Sequence, residues 1–578
     1  MVIQTTASML TRDGLRLDAD IYRPEQAGDF PVLLMRQPYG RKIASTVVYA
    51  LPSWYAAQGY VVVIQDVRGR GSSEGEFDLF KTEVEDGIDT IQWAANLPGS
   101  TGQVGMYGFS YQGMTQLYAA SQVPPELKTL CPAMIGYDLY NDWAYEGGAF
   151  CLQANLAWAI QLAAETVRRS GDTGAYQALY QASRNLPLYE GLPADPGVLQ
   201  TLAPESFYHD WLRHFQPDEY WQALNPQMSQ VDLPMLHIGG WFDAYLRGTL
   251  QFYQDRTKCA QAPQYLVIGP WAHLPWGRRV GAMNYGIAAD NRIDELQIRW
   301  FDQFLKGIDT GLLEEPAVSL FEMGSNQWRE FDTWPDETVQ SYLLFSTGLA
   351  GIQEAAGTLL EIVEAENLED ENLEDENLED ENLETKALIT YDTFVHDPWR
   401  PVPSLGGHAG FPSGSVERSA LDCRSDILTY TSAPLEKSIH FAGSGIVEVY
   451  CEVEAMSYDL CAVVSDVHPD GKVYNFTQGY RRVYPPETSE KIQLETGTAE
   501  LSNLQIQKTV IQLQATCIQI PPGHSIRLSL SGAYFPSYSV NPGTGQFYPG
   551  NWMDAKVITV RIYSGETYPS QVSLPITL

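Results

Sequence analysis

Positive charge is scarce in this chain of 578 residues: Lys and Arg total 36 against 72 Asp and Glu, a formal net charge of −36. So acidic a balance argues against nucleic acid and against anionic membrane surfaces as partners. Long apolar runs are lacking too, and none reaches the roughly 18 residues of a membrane-spanning helix. The opening Met1-Val2-Ile3-Gln4 has no basic stretch leading into an apolar core, so no signal peptide is expected. The nine histidines include no H-E-x-x-H and no Cys/His cluster, so neither a metal nor a cofactor is expected. The seven cysteines (Cys131, Cys151, Cys259, Cys423, Cys451, Cys461, Cys517) are odd in number, irregularly spaced and without C-x-x-C. They read as reduced, mostly buried thiols of a cytoplasmic protein.

Aromatic residues are plentiful, with 14 Trp and 33 Tyr. The length exceeds what one core can organise, and about two to four domains are expected.

The most informative stretch is Val104-Gly105-Met106-Tyr107-Gly108-Phe109-Ser110-Tyr111-Gln112-Gly113. It sets a serine between glycines, after a β-prone run and before a helical pattern over Met114 to Ala120. A nucleophile elbow has this form, with the serine on a sharp strand-to-helix turn. The usual spacing is G-x-S-x-G; here the second glycine comes one residue later. A serine hydroxyl needs a base within reach, and the base needs an orienting carboxylate. Downstream, the apolar run Met235-Leu236-His237-Ile238 leads through Gly239-Gly240-Trp241-Phe242 to Asp243. A second run, Tyr265-Leu266-Val267-Ile268, leads through Gly269-Pro270-Trp271-Ala272 to His273. Open α/β sheets place their chemistry just past such strand ends. Ser110, Asp243 and His273 therefore fit a triad in order and context.

Residues 1–130 alternate strand and helix patterns, with Val61 to Ile64 as a strand buried on both faces and Glu85 to Ala95 as a helix. Asp66, Arg68 and Arg70 read as a structural charged turn, held by an Asp66–arginine pair. Residues 131–227 turn helix-rich, with Ala154 to Arg169 at helical spacing, as a cap inserted between nucleophile and acid would be. The α/β pattern resumes over 228–338. Residues 339–578 show short alternating runs, such as Ile446 to Val453 and Ser525 to Ser531, between Gly and Pro turns, which reads as an all-β sandwich. Within it, Glu366 to Glu384 repeats E-N-L-E-D almost four times with no basic residue. Its leucines (Leu368, Leu373, Leu378, Leu383) lie five apart. Five helical steps rotate a side chain by about 140°, and five strand steps flip it, so neither structure buries them together. Residues 366–384 are therefore expected to be a disordered acidic insertion. Calcium binding or partner docking is the alternative.

Taken together, several motifs resemble the CocE/NonD family of serine hydrolases, which includes cocaine esterase, α-amino acid ester hydrolases and relatives of X-Pro dipeptidyl-peptidase. They include Arg36-Gln37-Pro38-Tyr39-Gly40, Gln65 to Gly75, Gly108 to Gly113 with the family's own late glycine, and Gly240-Trp241-Phe242-Asp243. Further along come Gly269 to His273, Trp300 to Gly307, Pro401 to Gly407 and Asp466-Val467-His468-Pro469-Asp470-Gly471. The resemblance implies an α/β-hydrolase domain with an inserted helical cap, followed by a jelly-roll β domain. It implies Ser110 as nucleophile, His273 as base and acid, Asp243 as its orienter, and an oxyanion hole of the Tyr39 hydroxyl and the Tyr111 backbone amide. Trp143, Trp158 and Tyr245 are candidate pocket walls.

The expected activity is hydrolysis of a carboxylic ester or activated amide through an acyl-enzyme. The substrate is a small molecule, with no nucleic-acid or membrane partner, and homo-oligomerisation is left open. Amino-acid ester hydrolysis and X-Pro peptidase activity are alternatives. The ammonium-binding carboxylate that α-amino acid ester hydrolases carry just after the catalytic aspartate is replaced here by Ala244 and Tyr245. A third reading is a carbohydrate-binding protein with a vestigial hydrolase site.

Overall fold

The computed structural model describes residues 2–43, 46–335, 338–352, 356–362, 390–484, 506–546 and 550–577. The acidic repeat 366–384 lies outside the described residues.

Ten strands form the first sheet: β1 (Val2–Leu10), β2 (Arg16–Pro24), β3 (Phe30–Gln37), β4 (Val61–Asp66), β5 (Ser100–Phe109), β6 (Leu127–Ala133), β7 (Met235–Phe242), β8 (Gln264–Ala272), β9 (Val318–Glu322) and β10 (Gln327–Phe331). Their order is β1-β2-β4-β3-β5-β6-β7-β8-β9-β10. The block from β4 to β9 is parallel throughout, while β1, β2 and β10 add antiparallel edges. Parallel strands require crossovers that cover both faces, so their sequences are apolar on both sides. Accordingly every residue of β4 and of β7 is buried. Helices Glu83–Ala95, Tyr111–Ala120, Leu246–Cys259 and Ile293–Leu305 accompany this sheet. All ten residues of Tyr111–Ala120 are buried.

Between β6 and β7 the chain leaves the sheet and forms helices Leu152–Ser170, Thr173–Arg184, Gly197–Leu202, Phe207–Arg213 and Glu219–Leu224. Asp172, Ser206 and Asp218 cap three of them with side-chain acceptors, which satisfies otherwise unpaired first-turn amides.

From Thr338 onward the chain builds a second, all-β unit, including strands Ile446–Val453, Tyr458–Val467, Val473–Val483 and Ser525–Ser531. Its core is continuous with the hydrolase sheet: Trp241, Phe242 and Ile268 share one apolar cluster with Phe441, Val449 and Ile511. Among the described residues no helix is long and apolar enough to cross a membrane. Among the described residues no disulfide joins the seven cysteines, and Cys259 and Cys423 are exposed.

The Asp66–arginine pair expected at the charged turn after β4 is present, and the arginine is Arg41. Asp66 binds the Arg41 guanidinium and backbone amide, whereas Arg68 reaches outward to Asp86 and Asp13. Arg70 donates to the Leu162 carbonyl at 3.0 Å and stacks on Phe77. Asp66 ends its strand beside the loop that follows β3, which brings it to Arg41 rather than to its chain neighbours. Gly71 is required there, because a Cβ would lie 1.9 Å from Asp66 Oδ2.

Candidate active site

Tyr39, Ser110, Asp243 and His273 all lie just past the carboxyl ends of parallel strands β3, β5, β7 and β8. Sheet register gathers them on one edge. Phe109 pairs with Ala133, Ala133 with Ile238, and Phe242 with Ala272.

Ser110 has φ 60° and ψ −127°, a conformation that costs a non-glycine residue about 1–3 kcal/mol. The surroundings enforce it. The Ser110 amide donates to the Ala133 carbonyl at 2.9 Å, and the Met114 amide to the Ser110 carbonyl at 2.9 Å. The two flanking glycines have different tasks. Gly108 sits at φ 145°, where a Cβ would lie 2.5 Å from that of Gln112. Gly113 lets its helix press against β6, since a Cβ would lie 2.4 Å from Ile135 Cγ2 and 2.9 Å from the Ala133 carbonyl oxygen. The late glycine is thus a packing requirement of the helix, one step removed from the turn itself.

His273 Nδ1 lies 2.8 Å from Asp243 Oδ1. The Asp243 side chain is fully buried, while that of His273 is 30% exposed. With the carboxylate accepting at Nδ1, the imidazole carries its proton there and leaves Nε2 as the basic nitrogen. The ring is held by Phe109, the residue before Ser110, at 5.4 Å between centroids, and by Tyr245 edge-on at 5.0 Å. Ser110 itself is only 7% exposed.

Tyr39 is partly buried, and its hydroxyl oxygen accepts a hydrogen bond from Trp158 Nε1 at 3.0 Å. With the oxygen engaged as acceptor, the hydroxyl proton is left to donate elsewhere. Burial pushes this hydroxyl up to about 12, against the opposing pull of the Trp158 bond and the Arg70 charge. It therefore stays protonated across the working pH range. The Tyr111 side chain faces away from this edge: its hydroxyl donates to Glu83 at 2.7 Å and its ring stacks on Phe80. The Tyr111 backbone amide lies in the first helical turn, where N–H groups lack intrahelical partners. Trp143 packs against Tyr245 with ring centroids 4.3 Å apart and the planes tilted by 32°, and stacks on Trp158 at 5.3 Å. The three candidate wall residues form one aromatic stack running from His273 toward Tyr39.

Sequence reasoning missed two contributors, Arg36 and Gln514, and missed the hydrogen bond by which Trp158, named there only as a pocket wall, meets Tyr39. Arg36, at the end of β3, ties the elbow to the sheet: it pairs with buried Glu83, which also receives the Tyr111 hydroxyl, and donates to Gln65 at 2.8 Å. Trp158 orients Tyr39. Gln514, from the β unit, holds the loop of Asp243. The quoted motifs around Arg36 and Gln65 contained a signal for Arg36; nothing local in sequence marks Gln514 or the bond from Trp158 to Tyr39.

Residues 13–275 match the model of the X-Pro dipeptidyl-peptidase (S15 family), and residues 310–573 that of the X-Pro dipeptidyl-peptidase C-terminal non-catalytic domain. The chain is 30% identical to cocaine esterase of Rhodococcus sp. (strain MB1 Bresler), over 98% of this chain and 97% of that one. Among solved structures, an aminopeptidase from a marine sediment archaeon (Thaumarchaeota archaeon) superposes with a TM-score of 0.78 at 22% identity, covering 100% of this chain and 96% of that one. An α-amino acid ester hydrolase superposes with a TM-score of 0.74 at 22% identity, covering 100% and 97%. These two likenesses establish the fold. With the full-length match to cocaine esterase, the chain belongs to the CocE/NonD family of serine hydrolases.

Proposed function

We propose that this enzyme hydrolyses a carboxylic ester through an acyl-enzyme on Ser110. The observation that carries the reading is the 2.8 Å contact of His273 Nδ1 with buried Asp243, at the same sheet edge as the positive-φ serine. Ser110 Oγ attacks the acyl carbon and gives its proton to His273 Nε2. The carbonyl oxygen becomes an oxyanion and receives hydrogen bonds from the Tyr39 hydroxyl and the Tyr111 amide. Asp243 stabilises the imidazolium. Collapse of the tetrahedral intermediate breaks the bond to the leaving alkoxide, which takes the proton from His273. Water then repeats the sequence on the acyl-enzyme, with His273 again as base, and releases the acid and free Ser110.

The aromatic stack of Trp143, Trp158 and Tyr245 supports an ester with an apolar or aromatic group. Ala244, just past Asp243, leaves that position without a carboxylate for a substrate ammonium, so amino-acid esters and X-Pro peptides rank below neutral esters. The test is a panel of p-nitrophenyl acyl esters against amino-acid and X-Pro p-nitroanilides, with wild type and Ser110→Ala. Turnover of neutral aryl esters that disappears in Ser110→Ala is expected. Preference for the anilides would move the assignment to peptidase.

A further inference from the structure

The β unit holds a second constellation, which ester hydrolysis does not use. Asp466 lies near the end of strand Tyr458–Val467, and His524 immediately precedes strand Ser525–Ser531. These strands pair directly, with Val467 opposite Ser525. His468 sits in the tight turn that follows. There the Gly471 amide donates to the His468 carbonyl at 2.9 Å and the His468 amide to the Lys472 carbonyl at 2.8 Å. All three backbones are thus fixed by sheet register or turn hydrogen bonds.

The side chains converge. His524 Nδ1 lies 2.7 Å from Asp466 Oδ1 and His468 Nε2 lies 3.2 Å from Asp466 Oδ2. The imidazole centroids are 4.5 Å apart. One ligand-type atom from each residue lies within 4.8 Å of the other two. The described residues give neither imidazole another hydrogen-bond partner. The three side chains are 13%, 31% and 16% exposed for Asp466, His468 and His524, so a hydrated ion can reach them.

We propose that Asp466, His468 and His524 bind one divalent cation of the zinc class, with water completing its coordination. Two imidazole nitrogens and one carboxylate oxygen suit Zn²⁺, Co²⁺ or Ni²⁺, whereas Ca²⁺ and Mg²⁺ take oxygen ligands. Ligand distances of about 2.0–2.2 Å require the three atoms to close on the ion, which small rotations of the two rings supply. The strongly negative chain draws cations toward it. The ion would pin the 468–472 turn to the strand that starts at Ser525. It takes no part in the Ser110 chemistry, so its test stands independently of the hydrolytic reading.

The experiment uses tag-free, full-length protein, stripped with chelator and titrated calorimetrically with ZnCl₂ near pH 7.5, with MgCl₂ as control. One saturable equivalent of zinc, no magnesium heat and a raised Tm are expected. His468→Ala and His524→Ala, on separate elements, should each weaken zinc binding at least tenfold while leaving ester turnover unchanged. Zinc should also protect His468 and His524 of the wild type from diethyl pyrocarbonate, read by peptide mass spectrometry, which decides the matter even if a variant fails to fold. Absence of saturable zinc uptake overturns the proposal. So does uptake that neither substitution weakens, or uptake without protection of the two histidines.

Discussion

Gln514 donates its side-chain amide to the backbone carbonyl of Asp243 at 3.0 Å, across 271 residues of sequence. The same amide reaches the Trp241 carbonyl at 3.0 Å, and Gln514 is itself fixed where its carbonyl accepts from Thr477 at 2.5 Å and its amide donates to Gln478 at 2.9 Å. The β unit therefore grips the loop that carries the buried carboxylate. Gln514→Leu should lower kcat about ten- to a hundredfold with KM little changed, because a small misplacement of a catalytic group is costly. Gln514→Glu should be worse, since it sets an acceptor against two carbonyl oxygens. Steady-state kinetics well below Tm check this. A purely structural glutamine would lower Tm and leave kcat intact.

The Tyr39 hydroxyl should act only once charge develops on the substrate oxygen. Tyr39→Phe keeps the ring and is expected to lower kcat by about two to three powers of ten with a modest change in KM. Trp158→Phe, which removes the indole N–H from the Tyr39 oxygen, should produce a smaller loss in the same direction. Near-normal kcat in folded Tyr39→Phe would remove the oxyanion role and leave the Ser110, Asp243 and His273 assignments standing.

Ser110→Ala, His273→Ala and Asp243→Asn should each remove orders of magnitude of kcat, and double variants should be little worse than single ones, because residues acting in one step are non-additive. Additive losses would place them in separate steps.

Acid sensitivity should arise at the junction of the two units. Burial by itself would raise the Glu146 carboxyl, but Arg247 and His408, with hydrogen bonds from His408 and Tyr538, outweigh it and hold the group at about 2 instead of the usual 4.5. A depressed carboxyl stabilises the fold above its unfolded pKa, so this contribution is complete above pH 4.5 and is lost as the pH falls through about 2. Its size is on the order of 3 kcal/mol. Thermal melts between neutral pH and pH 2 should show a falling Tm in the wild type. Glu146→Gln should start lower at neutral pH and fall less steeply. Parallel curves would show that Glu146 does not carry the effect.

Strand ends were legible because buried parallel strands are apolar on both faces: the Val61 to Ile64 run and the approaches to Asp243 and His273 announce themselves. The late glycine was legible only through the family resemblance; its reason, a Cβ that would meet Ile135 and Ala133, is a packing constraint no spacing rule encodes. An Asp66–arginine pair was legible, but not that its arginine is Arg41 on the loop after β3, because chain neighbours are not spatial neighbours at a turn between strands. Gln514 and Trp158 reach the site by side chains from distant elements. His524 joins Asp466 only through sheet register, and the absence of a Cys/His cluster in sequence hid that meeting.

Ester hydrolysis by this route requires that Ser110 be an activated nucleophile. Treatment with a fluorophosphonate followed by peptide mass spectrometry tests it directly. One covalent adduct per chain is expected, on the peptide containing Ser110, formed with loss of ester turnover and strongly slowed in His273→Ala. No adduct on folded protein, or an adduct on another serine that abolishes turnover while Ser110 stays unmodified, would contradict it.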